Sequence, residues 1–197
     1  MTTKKNEKYY YNILDLDETL IHSETVFYEN YDFYFKLNNS LFFCKKRPYL
    51  DLFLKYCFKH YRVAIWSAGK ANYVNLVCNN LFFNKPYQPE FIWSRNKCTF
   101  IDSKIKRLLF PNKNYLYYKK LEKICKKKEY NIDSKNILII DDNKNTYKQN
   151  IRNAINLLPF DDVYNKNDME FFRLIILLDK LENVPDVTLY YNKLIKI

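Results

Sequence analysis

Three short segments are built alike and limit what the chain can become. Tyr9–Leu14 runs into Asp15-Leu16-Asp17, Tyr61–Trp66 into Ser67-Ala68-Gly69, and Asn136–Ile140 into Asp141-Asp142-Asn143. Each is a brief apolar run rich in β-branched or aromatic residues and closed by polar residues at its carboxyl end. Continuous apolar character over so few residues marks a parallel strand buried on both faces. Between these runs the spacing turns helical. Arg47–Phe58 opens on Pro48 and repeats apolar residues every three or four positions; Ala71–Leu81 lines up Val74, Val77, Cys78 and Leu81. Tyr115–Lys128 turns Leu116, Leu121, Ile124 and Cys125 inward, and a last helix is expected from near Asp168 to Asn183. Strands alternating with helices predict an α/β fold, a Rossmann-like parallel sheet with flanking helices.

One stretch departs from that alternation. Tyr31–Leu37, Asn38-Asn39 and Ser40–Lys45 read as an antiparallel hairpin, so a β-hairpin insertion is expected over about 28–46, after the first strand. Its aromatics, Tyr28, Phe33, Phe35 and Phe43, either form an apolar pocket or serve the hairpin's own packing. The segment Leu81–Asn114 reads as irregular. At 197 residues the whole chain, 1–197, is expected to be one domain.

Composition removes several classes of function. A single glycine, Gly69, excludes a Gly-rich phosphate loop and a dinucleotide fingerprint. Five scattered cysteines, Cys44, Cys57, Cys78, Cys98 and Cys125, with only two histidines, give no zinc spacing and read as reduced thiols. No apolar run approaches the ~20 residues of a membrane span, and the first residues lack a secretory pattern, so an intracellular protein of nucleus or cytoplasm is expected, without membrane. The net charge of +11 comes from 33 basic residues, 27 of them Lys. Lysine suits an unselective attraction to anions better than the reading of base edges, so nucleic acid is not the expected partner.

In an open parallel sheet, ligands bind beyond the carboxyl ends of the strands. Those ends deliver Asp15 and Asp17 from one strand and Asp141 and Asp142 from another. Four carboxylates meeting in one crevice repel unless a cation sits among them. A set of oxygen donors without His or Cys suits Mg²⁺.

These residues, in this order, resemble a family. Asp15-Leu16-Asp17-Glu18-Thr19-Leu20 is similar to the DxDxT signature of the haloacid dehalogenase superfamily. With Lys46-Arg47-Pro48, Trp66-Ser67-Ala68, Ser94-Arg95, Cys98-Thr99-Phe100, Lys119-Lys120-Leu121 and Ile139–Asn143, the chain resembles the branch containing the small phosphatases of the RNA polymerase II C-terminal domain. The resemblance implies a haloacid dehalogenase fold and a Mg²⁺-dependent phosphatase of phosphoserine or phosphothreonine in proteins. It implies Asp15 as nucleophile, forming an aspartyl-phosphate, and Asp17 as general acid and then base. Mg²⁺ would lie on Asp15, the Asp17 carbonyl and Asp142, with Asp141 beside it. Ser67 would bind phosphate, Lys119 or Lys120 would neutralise it, and Arg95 would touch substrate. The implied partner is a phosphorylated protein such as the polymerase tail. A same-fold phosphatase for a small molecule or a nucleic-acid end, and a non-catalytic binding module, are the alternatives. Asp142 departs from the Asn typical of the small phosphatases.

Overall fold

The computed structural model describes residues 10–100, 117–161, 163–182 and 184–190. Its centre is a five-stranded parallel sheet in the order β10-β9-β1-β5-β6. The strands are β1 (Tyr11–Leu14), β5 (Arg62–Trp66), β6 (Ile92–Trp93), β9 (Ile137–Asp141) and β10 (Ala154–Asn156). β1 lies in the middle: Leu14 pairs with Ile65 on one side and with Ile140 on the other. All residues of β1 and β9 are buried, as their unbroken apolar runs require. The β6 and β10 strands were not legible in sequence. They are two and three residues long, too short to show a period.

Helix α1 (Leu50–His60) and helix α2 (Ala71–Phe82) flank the sheet. The longest C-terminal helix, Glu170–Leu181, packs Phe171 on Phe53 of α1, ring on ring at 4.3 Å. One face of the sheet, with Leu14, Val63, Ile65, Leu138 and Ile140, joins the core beneath these helices. The opposite face, with Tyr11, Ile13, Ala64, Trp66 and Ile139, meets Trp93, Leu121 and Ile124. Successive residues of a strand point to opposite faces, and the two core lists alternate accordingly.

The hairpin is present, β3 (Phe33–Leu37) and β4 (Ser40–Lys46) around Asn38-Asn39, but a third strand joins it. β2 (Ile21–Glu24) pairs antiparallel with β4, giving a three-stranded insertion ordered β2-β4-β3. Of the two readings of the aromatics, packing within the insertion is what forms, and not as one surface. Phe35 stacks on Phe42 on one face, whereas Phe43 meets Phe27, Tyr31 and Tyr34 on the other. The helix expected over Tyr115–Lys128 is also different: Tyr117–Tyr118 is a strand, β8, paired with β7 (Thr99–Phe100), and the helical part is Glu122–Cys125. Tyr115 and Leu116, with Pro111 and Asn183, lie outside the described residues.

Left-handed turns expose another consequence of the composition. Among the described residues, six that are not glycine have positive φ, and four of them are asparagines: Asn30, Asn38, Asn84 and Asn131. Asparagine tolerates this region better than most side chains, so it supplies the turns that glycine fills elsewhere. Gly69 itself does not have positive φ. It is there for space, because a Cβ would stand 3.0 Å from Tyr73 Cδ1 and 3.1 Å from both Ser67 Oγ and Val74 Cγ2.

Candidate active site

Asp15 follows β1 and its N–H donates to the Ile140 carbonyl at 3.0 Å, so it stands beside Asp141 at the same end of the sheet. Parallel register therefore brings together residues 126 positions apart. The chain then turns sharply. Thr19, Leu20 and Ile21 all donate their N–H to the Leu16 carbonyl, and Glu18 takes φ 58. A glutamate in the left-handed region is uncommon and marks a loop held by its surroundings.

Arg47 does much of that holding. Its guanidinium is 2 % exposed, pairs with Asp168 at 2.8 Å and donates to the Leu158 carbonyl at 2.9 Å. It also reaches the carbonyls of Glu18 and Thr19, each at 3.4 Å. Three separate segments are thus tied to one planar fork, a task for which lysine has the wrong geometry. Sequence reading quotes Arg47 in a motif and gives it no part; a buried charge with distant partners leaves no local signal.

Three of the four acidic strand-end residues converge; the Asp17 carboxyl, hydrogen-bonded to Tyr73, is outside the group. Oxygens of Asp15, Asp141 and Asp142 lie within 4.8 Å of one another. Lys119 is fully buried among them, its Nζ donating to Asp15 Oδ1 at 2.5 Å and Asp141 Oδ2 at 2.6 Å. Its backbone is fixed too: the N–H donates to the Thr146 carbonyl at 2.7 Å and its carbonyl accepts from Asn150. Lys120 is half-exposed and outside this cluster.

Further donors set the orientation of each carboxylate. Thr146 Oγ1 donates to Asp141 Oδ2 at 2.6 Å, and the Asn143 N–H to Asp141 Oδ1 at 2.8 Å. Thr19 Oγ1 donates to Asp142 Oδ1 at 3.0 Å while accepting the Asp142 N–H. Tyr73 donates its hydroxyl to Asp17 Oδ1. Thr19, Tyr73, Asn143 and Thr146 were assigned no role from sequence. Asn143 and Thr146 had a detectable signal, a polar pair at the start of a helical turn just after Asp-Asp; Tyr73 had none.

The electrostatics follow from burial. Asp15 is raised well above the usual carboxylate range, by burial first, with Asp141 and Asp17 adding to the shift and Lys119 opposing it. Burial likewise raises Asp17, against the Tyr73 hydrogen bond, and Asp142, where Asp141 adds to it. Burial alone would lower Lys119, but Asp141 and Asp15 more than offset it and hold the ammonium charged. One lysine among three neighbouring carboxylates leaves negative charge uncompensated. The donor set is entirely oxygen. The residues present therefore fit a hard divalent cation.

Ser67 follows β5, two positions past Ile65, at the same sheet end. It is 1 % exposed and its Oγ accepts the Gly69 N–H at 2.9 Å, which leaves the hydroxyl proton to be donated. Arg95 braces this loop: its N–H donates to Gly69 O at 2.9 Å and its Nε to Ala68 O at 2.6 Å. The guanidinium also lies over the Tyr117 ring at 4.8 Å. Arg95 is thus engaged with the loop that follows β5.

A parallel sheet whose central strand ends in Asp-x-Asp, facing an Asp-Asp pair and a buried lysine, is the layout of the haloacid dehalogenase fold. The chain belongs to the NLI interacting factor-like phosphatase family, whose model matches residues 11–188. It is 29% identical over 180 residues to CTD small phosphatase-like protein 2 of Dictyostelium discoideum, covering 89% of this chain and 28% of that protein. It is 30% identical over 178 residues to CTD phosphatase-like protein 355R of Invertebrate iridescent virus 6, covering 80% of this chain and 88% of that protein. A structure of the fission yeast RNA polymerase II CTD phosphatase Fcp1, bound to beryllium fluoride, shares the fold with a TM-score of 0.55 at 20% identity, covering 89% of this chain and 50% of that one. The chain thus spans about a quarter of the Dictyostelium relative and half of the solved structure. No helix among the described residues is long and apolar enough to cross a membrane.

Proposed function

We propose that the protein hydrolyses phosphoserine or phosphothreonine in a polypeptide, with Asp15 as nucleophile and Asp17 as general acid and base. The observation that carries the reading is the placement of Lys119 between Asp15 and Asp141, beside Asp142, at the carboxyl end of the sheet. An Asp15 oxygen attacks phosphorus as the bond to the serine oxygen breaks, and Asp17 gives its proton to that oxygen. Asp17, now ionised, takes a proton from water, which attacks the aspartyl-phosphate and releases inorganic phosphate. Lys119 opposes the rise that burial gives Asp15, favouring its ionised form, and neutralises the transferring group; the Ser67 hydroxyl donates to a phosphate oxygen. Asp15, the Asp17 carbonyl and Asp142 would hold Mg²⁺, with Asp141 behind them, and that ion would supply charge to set against the repulsion between carboxylate and phosphate.

The substrate class rests on the surface. A net charge of +11 favours an acidic, multiply phosphorylated segment such as the RNA polymerase II C-terminal domain. The outer face of the insertion exposes Phe27 and Tyr34, area that suits a polypeptide better than a small metabolite. Nucleus or cytoplasm is the compartment this substrate requires. The test is turnover of p-nitrophenyl phosphate and of single-phosphoserine peptides with Mg²⁺ or with EDTA. Asp15→Asn and Asp17→Asn should each remove peptide turnover while remaining folded, and EDTA should do the same to the wild type. Equal rates in all three proteins would refute the mechanism. Turnover of small phosphates alone, with no peptide accepted, would favour a small-molecule substrate.

A further inference from the structure

Tyr73 joins the insertion sheet to the Asp17 carboxyl by a hydrogen bond. It sits on the first turn of α2 and donates its hydroxyl to Asp17 Oδ1. Its ring lies against Phe35 and Phe42, with centroids 5.7 and 5.5 Å away, and those two rings are stacked on each other at 5.4 Å. Phe35 and Phe42 are register partners in β3 and β4, so they face the same side of the insertion. On the remaining side the ring borders Gly69, where no Cβ intrudes. The half-buried ring is therefore flanked by the insertion and by the loop after β5, and its hydroxyl is directed at Asp17.

We propose that Tyr73 is a positioning residue that selects which oxygen of Asp17 serves the leaving group, and that the insertion holds it there through Phe35 and Phe42. A hydrogen bond donated into Oδ1 requires that oxygen to be an acceptor. The transferable proton then resides on Oδ2, which faces away from Tyr73. When Oδ2 gives its proton to the departing oxygen, the same hydroxyl stabilises the carboxylate left behind. The inference rests on Asp17 being the general acid, and it links a substrate-side element to the proton transfer itself.

The test uses aryl phosphates of similar size and rising leaving-group basicity, from p-nitrophenyl to p-methoxyphenyl phosphate. The readout is kcat/KM, which covers only the steps through the first phosphoryl transfer. A basic leaving group needs the proton and nitrophenolate scarcely does, so loss of general acid help steepens the dependence. For Tyr73→Phe the p-methoxyphenyl value should fall about tenfold and the p-nitrophenyl value no more than about twofold. Phe42→Leu should steepen the series in the same direction by a smaller factor. An equal fall across the series, or no fall, for Tyr73→Phe would overturn the inference; an unchanged slope for Phe42→Leu would overturn the part played by the insertion. Asp17→Asn, measured alongside, separates the two claims. If its slope matches the wild type, the general-acid assignment itself is wrong. If it is steep while Tyr73→Phe is not, only the role of Tyr73 is lost.

Discussion

Replacing Lys119 by Met removes the cation shared by Asp15 and Asp141 while keeping most of the side-chain volume. The lysine has no exposed surface and lies 2.5 and 2.6 Å from the two carboxylates. Breaking a buried pair by deleting one partner costs ~3–5 kcal/mol, because the other charge stays buried. Protonation limits that cost. Asp15 is already raised by burial, and without Lys119 it would take up a proton still more readily. The loss should therefore sit near ~3 kcal/mol at pH 8, a drop of about 6–12 °C in Tm for a chain of this size. A carboxyl raised in the folded state binds more protons folded than unfolded, so stability falls as pH climbs from the ordinary carboxylate range through the raised value. The deficit of Lys119→Met should accordingly be smaller at pH 5 than at pH 8. A divalent ion that binds only the folded form returns ~2.7 kcal/mol when present at about a hundred times its Kd. Urea unfolding followed by circular dichroism, in EDTA and in MgCl₂, measures all of this. Lys119→Met should be destabilised in EDTA, largely restored by Mg²⁺, and inactive in both. Lys120→Met should match the wild type. A Lys119→Met protein within about 1 kcal/mol of wild type in EDTA at pH 8, or a Lys120→Met protein equally impaired, would refute the reasoning.

Arg47→Lys should lose about 3 kcal/mol in urea unfolding, since a point charge cannot serve Asp168, Leu158, Glu18 and Thr19 together; a loss below about 1 kcal/mol would remove the case for a shared fork. Gly69→Ala should cost about 1–3 kcal/mol and lower kcat/KM, because the new methyl meets Tyr73 and Ser67; full activity would show that the loop yields freely. His22 should titrate above 6.5 by NMR, because burial, which lowers it, is outweighed by its hydrogen bonds to Glu18 and Glu24. That stabilisation is complete below 6.5 and is lost as pH rises through the folded value; Glu24→Gln should bring the titration down, and no movement would contradict the assignment.

The central sheet was legible because strands buried on both faces leave unbroken apolar runs, and β1, β5 and β9 each do so. The acidic strand ends were legible for the same reason: once the strands are known, so is the edge where Asp15 and Asp141 meet. The third strand of the insertion was not. Ile21–Glu24 is four residues reading apolar, His, Ser, Glu, and its pairing with β4 depends on the turn at Glu18, which no neighbour in sequence announces. The lysine helix was read too long because Tyr117 and Tyr118 fit an apolar helical stripe as well as a strand; their pairing with Thr99 and Phe100 decides the matter. Arg47, Thr19 and Tyr73 escaped notice as functional side chains because their partners lie 121, 123 and 56 positions away.

The middle position of β1 has a bearing on how the molecule breathes. Ladder neighbours on both sides mean that its amides cannot reach solvent by fraying from an edge, so Ile13 and Leu14 should exchange hydrogen for deuterium only in large-scale opening events. Asp15, the proposed nucleophile, thus follows the strand expected to exchange slowest, whereas the Tyr73 that bonds Asp17 packs on the three-stranded insertion at the protein's periphery. Warming or mild denaturant should therefore open the amides of the insertion to exchange before those of β1.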